Sequence, residues 1–208
     1  MPGRALDFSL YLITDRHALP PGRSLEDAVR AACQGGVDAV QLREKDLPAR
    51  ALYPLACRLR ELTAHWGARL FVNDRIDLAL AVDADGVHLG GHSLPIAVAR
   101  RLLGPERLIG VSTHHRDEIA AAAQAGADFV TFGPVFPTPS KAAFGPPQGL
   151  EALRDACRDA PLPVFALGGI TAEATPQVLA AGAQGVALIR AVLAAADSTC
   201  AARRFARQ

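Results

Sequence analysis

The feature that most narrows the possible folds is a phrase that recurs where a helical stretch gives way to a short apolar run. It reads GGVDAV at 35–40, DADGV at 83–87, AGADFV at 125–130 and AGAQGV at 181–186. Glycine ends the helix in a left-handed conformation, and a small residue and Asp then turn the chain into the next buried strand. The short runs fall at 8–13, 38–43, 69–73, 85–89, 107–112, 128–133, 163–167 and 184–189, which makes eight. Their length and β-branched content suit buried parallel strands. Helical stretches lie between them, near 24–34, 49–65, 75–81, 94–103, 116–125, 149–159, 172–181 and 191–196. Ser24 with Asp27, and Thr171 with the Ala-Glu that follows, read as helix starts. Eight βα units within 208 residues predict a single-domain (βα)8 TIM barrel spanning 1–208. The runner-up, a doubly wound open sheet, would carry a glycine-rich fingerprint after the first strand. That position reads ITDRHALPPGR, and no such fingerprint is present.

Composition removes several function classes. The net charge of +1 leaves no basic footprint for nucleic acid. No apolar run approaches the roughly 18 residues of a membrane helix, and the N-terminal MPGRALDFSLYLITD has no signal-peptide h-region. Cys33, Cys57, Cys157 and Cys200 form no CxxC pair. The first three, set among alanines and leucines, read as small core residues, and a reducing cytoplasm is the expected compartment. The stretch GPVFPTPSKAAFGPPQG at 133–149 is too short for an interdomain linker and reads as a long βα loop of functional kind. The tail after Asp197 reads as a loose last helix.

In such a barrel the active site lies at the C-terminal ends of the strands. There the sequence gathers polar residues, while the helix-to-strand turns stay bland. The ends carry Thr14-Asp15; Gln41, Arg43, Glu44 and Lys45; Asn73-Asp74-Arg75; His88 to Ser93; Ser112-Thr113-His114-His115; Thr138, Ser140 and Lys141; Gly168-Gly169-Ile170-Thr171; and Ile189-Arg190. Of the 22 basic residues only Lys45 and Lys141 are lysines, and both fall in these loops.

Gln41, Arg43 and Lys45 alternate, so on a strand they share one side facing the barrel mouth. Two cations and an amide on one face suit a diphosphate. The bland alternative is a surface ion-pair ladder. Asn73-Asp74 offers a carbonyl and a carboxylate, and Asp74 could hold Mg²⁺ or cap the helix that begins near Arg75. Gly168-Gly169 between a strand and a helix reads as a phosphate cradle or as a tight turn that needs glycine. The spacing of His88, His92, His114 and His115 has no zinc pattern. His114 after the fifth run is placed to move a proton near neutral pH.

VQLREK (40–45), FVNDR (71–75), GVHLG (86–90), IGVSTH (109–114), FGPVFPTPSK (132–141), ALGGI (166–170) and GVALIRAV (185–192) resemble, in order, the thiamin phosphate synthase/TenI superfamily. The resemblance implies a (βα)8 barrel acting in thiamin biosynthesis. For a synthase it implies a transferase that joins 4-amino-2-methyl-5-hydroxymethylpyrimidine diphosphate to thiazole phosphate and releases diphosphate. Gln41, Arg43, Lys45 and Asn73 would then hold the pyrimidine diphosphate, with Ser112 and Lys141 on the diphosphate side. Asp74 would bind Mg²⁺. Thr138, Ser140, Gly168, Gly169, Ile189 and Arg190 would hold the thiazole phosphate.

The chain departs from that pattern in two places. Gly91, His92 and Ser93 stand where the synthase pattern has Gln, any residue and the second Mg²⁺-binding Asp. Arg190 stands where the family usually has Ser. These leave a TenI-like thiazole tautomerase open as an isomerase alternative, with His114 as its proton shuttle and no metal. A non-catalytic thiazole- or thiamin-phosphate-binding regulator is a third reading. The implied partners are the two small-molecule substrates, without nucleic acid or membrane, and a homodimer stays open.

Overall fold

A computed structural model describes residues 6–138 and 146–206. Eight parallel strands form a closed barrel in the order β1 to β8. They are β1 (Leu10–Ile13), β2 (Ala39–Leu42), β3 (Arg69–Asn73), β4 (Gly86–Leu89), β5 (Leu108–Thr113), β6 (Phe129–Phe132), β7 (Val164–Leu167) and β8 (Gly185–Leu188). Between them run α1 (Leu25–Gln34), α2 (Ala49–His65), α3 (Ile76–Ala81), α4 (Ile96–Leu103), α5 (Arg116–Gln124), α6 (Gly149–Cys157) and α7 (Thr175–Ala180). After the last strand come α8 (Arg190–Leu193) and α9 (Ser198–Arg203). The predicted barrel is therefore the observed fold.

Contacts divide the chain into two compact units, Phe8–His88 with Leu188–Gln208, and Met1–Asp7 with Leu89–Ala187. Two of the divisions fall inside β4 and β8. Domain boundaries ordinarily fall in exposed linkers, and these do not.

The recurring phrase does more than turn the chain. Gly36, Gly126 and Gly182 take positive φ, and in the DADGV copy Asp83 fills that position at φ 51°. Two residues on, an Asp pins the start of the preceding odd-numbered strand. Asp38 accepts from the backbone N–H groups of Ser9 and Leu10 at 3.0 and 2.8 Å. Asp85 accepts from Leu70 N–H at 2.8 Å, and Asp128 from Ile109 N–H at 2.7 Å. The fourth copy places Gln184 there. Each pin satisfies a donor at the end of a buried strand, where an unpaired N–H is costly.

The last helix corrects one expectation. The tail is not loose. Asp197 caps α9 by accepting from Cys200 N–H at 3.0 Å, and Thr199 Oγ1 donates to Ala31 O of α1 at 2.9 Å. A Cβ on Gly35 would lie 2.5 Å from Thr199 O, so glycine lets α9 approach α1 closely. The eighth helix is also shorter than expected, ending at Leu193. Cys33 is buried, while Cys57 and Cys157 are only half-buried and Cys200 is exposed; all four are free thiols.

Candidate active site

In the Phe8–His88 half the interior carries polar side chains on three of its strands. Tyr11 on β1, Gln41 on β2 and His88 on β4 are 0, 1 and 2% exposed. Gln41 Nε2 donates to the Tyr11 hydroxyl at 2.9 Å, and that hydroxyl lies 3.3 Å from His88 Nδ1. The Tyr11 ring packs against Phe71 and Phe8, with centroids at 5.5 and 6.0 Å. Burial pushes the His88 pKa down to about 3, with the Asp74 charge opposing and Arg43 adding, so the imidazole is neutral. Burial also raises the Tyr11 hydroxyl well above its ordinary value.

The strand β2 ends at Leu42, so Gln41, Arg43 and Lys45 do not alternate along one strand. Gln41 lies inside the barrel, Arg43 is half-buried just past the ladder, and Lys45 is exposed in the following turn. What holds this turn is the intervening Glu44. Its side chain is 1% exposed and receives Arg16 N–H and Arg16 Nη1, each at 3.2 Å. Arg16 also pairs with Asp46, which holds that carboxyl well below the ordinary range. Thr14 Oγ1 accepts from Arg43 N–H at 2.9 Å, which fixes the backbone at Arg43.

Asp74 follows β3 at φ 61°, a left-handed conformation that costs roughly 1 kcal/mol for a residue with a side chain. Its N–H donates to His88 O at 3.0 Å, and its Oδ2 accepts from Asn73 Nδ2 at 2.8 Å. The capping expectation fails. Arg75 is the N-cap of α3 and makes no side-chain capping bond. No group of three or more His, Cys, Asp or Glu residues able to hold a metal occurs among the described residues. The donor set is therefore one carboxylate beside an amide. That fits Mg²⁺, which takes one or two protein carboxylates and completes its shell with phosphate oxygens and water. It does not fit zinc. In the same half, Ile189 is the half-buried N-cap of α8 and Arg190, its first residue, is exposed.

The Leu89–Ala187 half is built differently. After β7, Gly168 and Gly169 take φ 101° and 64°. A Cβ on Gly168 would lie 2.6 Å from Pro134 Cβ, and one on Gly169 2.5 Å from Pro137 O. The glycines are thus required by packing against the segment that follows β6. Two bonds tie that segment down, from Val135 N–H to Leu167 O at 2.9 Å and from Phe136 N–H to Gly168 O at 3.0 Å. Thr138 lies half-buried at its end. Ser140 and Lys141 lie outside the described residues. Ser112 sits half-buried on β5. Exposed His114 has Nδ1 2.6 Å from Gly133 O. A carbonyl only accepts, so Nδ1 carries a proton and donates it. In the loop after β4, Ser93 Oγ accepts from Gly90 N–H at 2.6 Å and so shapes the turn where the synthase pattern has a carboxylate.

Sequence reasoning missed Tyr11 and the use made of His88. Gln41 and His88 interrupt otherwise apolar strand runs, which is a signal, whereas Tyr11 in LYLI reads as core.

A parallel (βα)8 barrel whose strand ends carry an amide, cations, a strained lone carboxylate and a glycine-paired turn belongs to the enzymes that handle phosphorylated small molecules. The comparisons narrow that class. The chain belongs to the thiamine monophosphate synthase family, whose sequence profile matches residues 10–192. It is 60% identical over 192 residues to a putative thiamine-phosphate synthase of Geobacter sulfurreducens, covering 92% of this chain and 90% of that protein. Identity to the thiamine-phosphate synthase of Moorella thermoacetica is 50% over 198 residues, covering 95 and 94%. The thiamine phosphate pyrophosphorylase structure from Pyrococcus furiosus superposes with TM-score 0.86 at 40% identity, covering 95% of this chain and 93% of that one.

Proposed function

We infer that this chain is a thiamine-phosphate synthase, a transferase that joins 4-amino-2-methyl-5-hydroxymethylpyrimidine diphosphate to thiazole phosphate. The observation that carries the reading is the strand-end set of the Phe8–His88 half, with Gln41, Arg43, Lys45 and Asn73 beside the left-handed Asp74. A tautomerase, which handles no diphosphate, has little use for these residues. The relatives' names point the same way.

In the reaction, the bond between the pyrimidine methylene carbon and the diphosphate oxygen breaks, and its electron pair leaves with diphosphate. The thiazole nitrogen then donates its lone pair to the methylene carbon, forming the thiazolium. Arg43 and Lys45 hold the departing diphosphate and stabilise the charge that develops on it. Gln41 orients the pyrimidine ring. Asp74, with Asn73 beside it, would hold Mg²⁺, which supplies further neutralisation of the diphosphate charge. Lys141 and Ser112 serve the diphosphate as well. Thr138, Ser140, Gly168, Gly169, Ile189 and Arg190 hold the thiazole phosphate, and proximity of the two substrates supplies much of the rate. His114 has no proton to move in this coupling, since alkylation of the thiazole nitrogen releases none.

We propose further that the chain is one domain acting in the cytoplasm, with these two small molecules as its partners. No helix among the described residues is long and apolar enough to cross a membrane.

The test is a coupling assay with both substrates and Mg²⁺, following thiamin phosphate. Product that disappears in Asp74→Ala is the expected result. Absence of product from folded protein, with turnover of the thiazole carboxylate phosphate instead, would replace the synthase by the tautomerase and make His114 its centre.

A further inference from the structure

We propose that Tyr11 and His88 are positioning residues that fix which end of the Gln41 amide meets the substrate, and so make this half of the barrel select a ring substituent that donates a hydrogen bond. The inference rests on the synthase reading only in taking an aminopyrimidine as the group that Gln41 meets.

The wiring follows from what each atom can do. An amide nitrogen only donates, so at 2.9 Å from Gln41 Nε2 the Tyr11 oxygen is an acceptor. The hydroxyl proton must then point elsewhere, and His88 Nδ1 lies 3.3 Å away. Nδ1 therefore carries no proton, and the neutral imidazole holds its proton on Nε2. The chain runs from Gln41 through Tyr11 to His88, every member of it buried. With Nε2 spent on Tyr11, Gln41 Oε1 is left without a partner among the described residues. A carbonyl oxygen left open in that position calls for a donor from the ligand.

The opposite wiring is chemically complete too. His88 Nδ1–H would donate to the Tyr11 oxygen, the Tyr11 hydroxyl to Gln41 Oε1, and the amide N–H₂ would face the ligand. That site would select a carbonyl substituent. The two wirings differ only in the His88 tautomer and a turn of the Gln41 amide, so the tautomer that His88 holds sets the sense of the amide through Tyr11. Tyr11 cannot swing out of the relay, because its ring is packed between Phe8, Phe71 and the His88 ring, with centroids at 6.0, 5.5 and 5.8 Å. A site whose buried polar groups are wired for a donor rejects an acceptor, because the mismatch leaves two buried acceptors facing each other.

The experiment compares binding and turnover of the 4-amino pyrimidine diphosphate with those of its 4-oxo analogue, by calorimetry and by the coupling assay. The proteins are the wild type, Tyr11→Phe, His88→Leu and His88→Asn, whose amide oxygen can replace the Nδ1 acceptor. The wild type should prefer the amino form by about 100-fold or more. Tyr11→Phe and His88→Leu should reduce that preference by at least about tenfold, chiefly through KM, while His88→Asn should keep most of it. Nitrogen NMR of histidine-labelled protein should show His88 with Nδ1 bare and Nε2 protonated, a signature that mere packing would not require. A preference that survives in folded Tyr11→Phe overturns the proposal, as does the reversed His88 tautomer. Equal binding of the two pyrimidines by the wild type overturns it too. Preferential binding that depends on Tyr11 but leads to no coupling would sustain it and remove the synthase reading instead.

Discussion

On the proposed reading, the two halves of this chain meet their ligands in opposite ways. In Phe8–His88 the proposed contacts are side chains, and much of the local structure holds them. Glu44 anchors the turn past β2, the Tyr11–His88 relay anchors Gln41, and Asp74 is kept in a left-handed conformation. In Leu89–Ala187 the corresponding work is done by backbone. Two glycines allow the turn after β7 to lie against Pro134–Pro137 at distances no side chain would tolerate. The first half should therefore be damaged by removing atoms and the second by adding them.

The largest effect expected from removal is at Asp74. Asp74→Ala deletes the carboxylate proposed to hold Mg²⁺ without touching the α3 N-cap residue, Arg75. It should lower kcat by on the order of 10³-fold, about 4 kcal/mol, with little change in thermal stability. Steady-state rates and a melting curve on the same preparation check it. A loss of less than tenfold would mean that the side-chain half does not carry the diphosphate chemistry.

The first half should also be the source of acid lability. The folded His88 titrates near 3 against an ordinary 6.5, so between those values the unfolded chain binds the extra proton. This contribution to stability is complete above pH 6.5 and is lost as pH falls toward 3, on the order of 4 kcal/mol in all. Urea unfolding at pH 7, 5.5 and 4.5 should show it, and His88→Asn should flatten the slope. Equal slopes in the two proteins would locate the acid sensitivity elsewhere.

Adding one methyl group tests the second half. In Gly169→Ala the new Cβ would stand 2.5 Å from Pro137 O at φ 64°. Conformational strain and overpacking together should cost about 3 kcal/mol. That corresponds to a fall of roughly 10 °C in Tm for a chain of this size. The KM for thiazole phosphate should rise more than that for the pyrimidine. An unchanged Tm would show that the 134–137 segment yields, and that the backbone there is not a fixed template.

The same contrast explains what could be read from residues alone. The barrel was legible because eight apolar runs and four copies of one turn phrase repeat the same local physics. Strand-end residues were legible because polar groups interrupt that pattern. The end of β2 was not, since Arg43 and Lys45 keep the alternation of a strand after the ladder has stopped at Leu42. Tyr11 was hidden inside FSLYLI, where a tyrosine reads as core, and only the register of three strands brings its hydroxyl to Gln41 and His88. The glycines at 168 and 169 read as a phosphate cradle, whereas packing already demands them. The tail read as loose because nothing in its sequence announces the close approach to Gly35.

The smallest effects concern the recurring Asp. Asp38 and Asp85 hold equivalent places in their turn phrases, yet they are balanced differently. Burial raises the Asp38 carboxyl above its ordinary range against four opposing hydrogen bonds. Burial works the same way on Asp85. There the Leu70 N–H and the guanidinium groups of Arg69 and Arg60, at 2.9 and 2.5 Å, more than offset it, and the net shift is downward. Replacing each carboxylate by an amide keeps one acceptor for the strand N–H and removes the charge. Asp85→Asn removes the charge that Arg69 and Arg60 meet and should cost about 2 kcal/mol, discounted for their partial exposure. Asp38→Asn relieves a desolvated charge that no arginine among the described residues meets, and should cost less than about 1 kcal/mol at pH 7. Because the folded Asp38 holds its proton more tightly than the unfolded one, its charge costs stability above the folded pKa, and that cost fades as pH falls. Chemical denaturation of both variants at pH 7 and pH 4 decides the matter. If Asp38→Asn proves the costlier of the two at pH 7, the pins act through hydrogen bonds alone and the arginines add nothing. The gap between the variants should narrow at pH 4, where the Asp85 carboxylate stays charged but Asp38 in the wild type already carries its proton for part of the time.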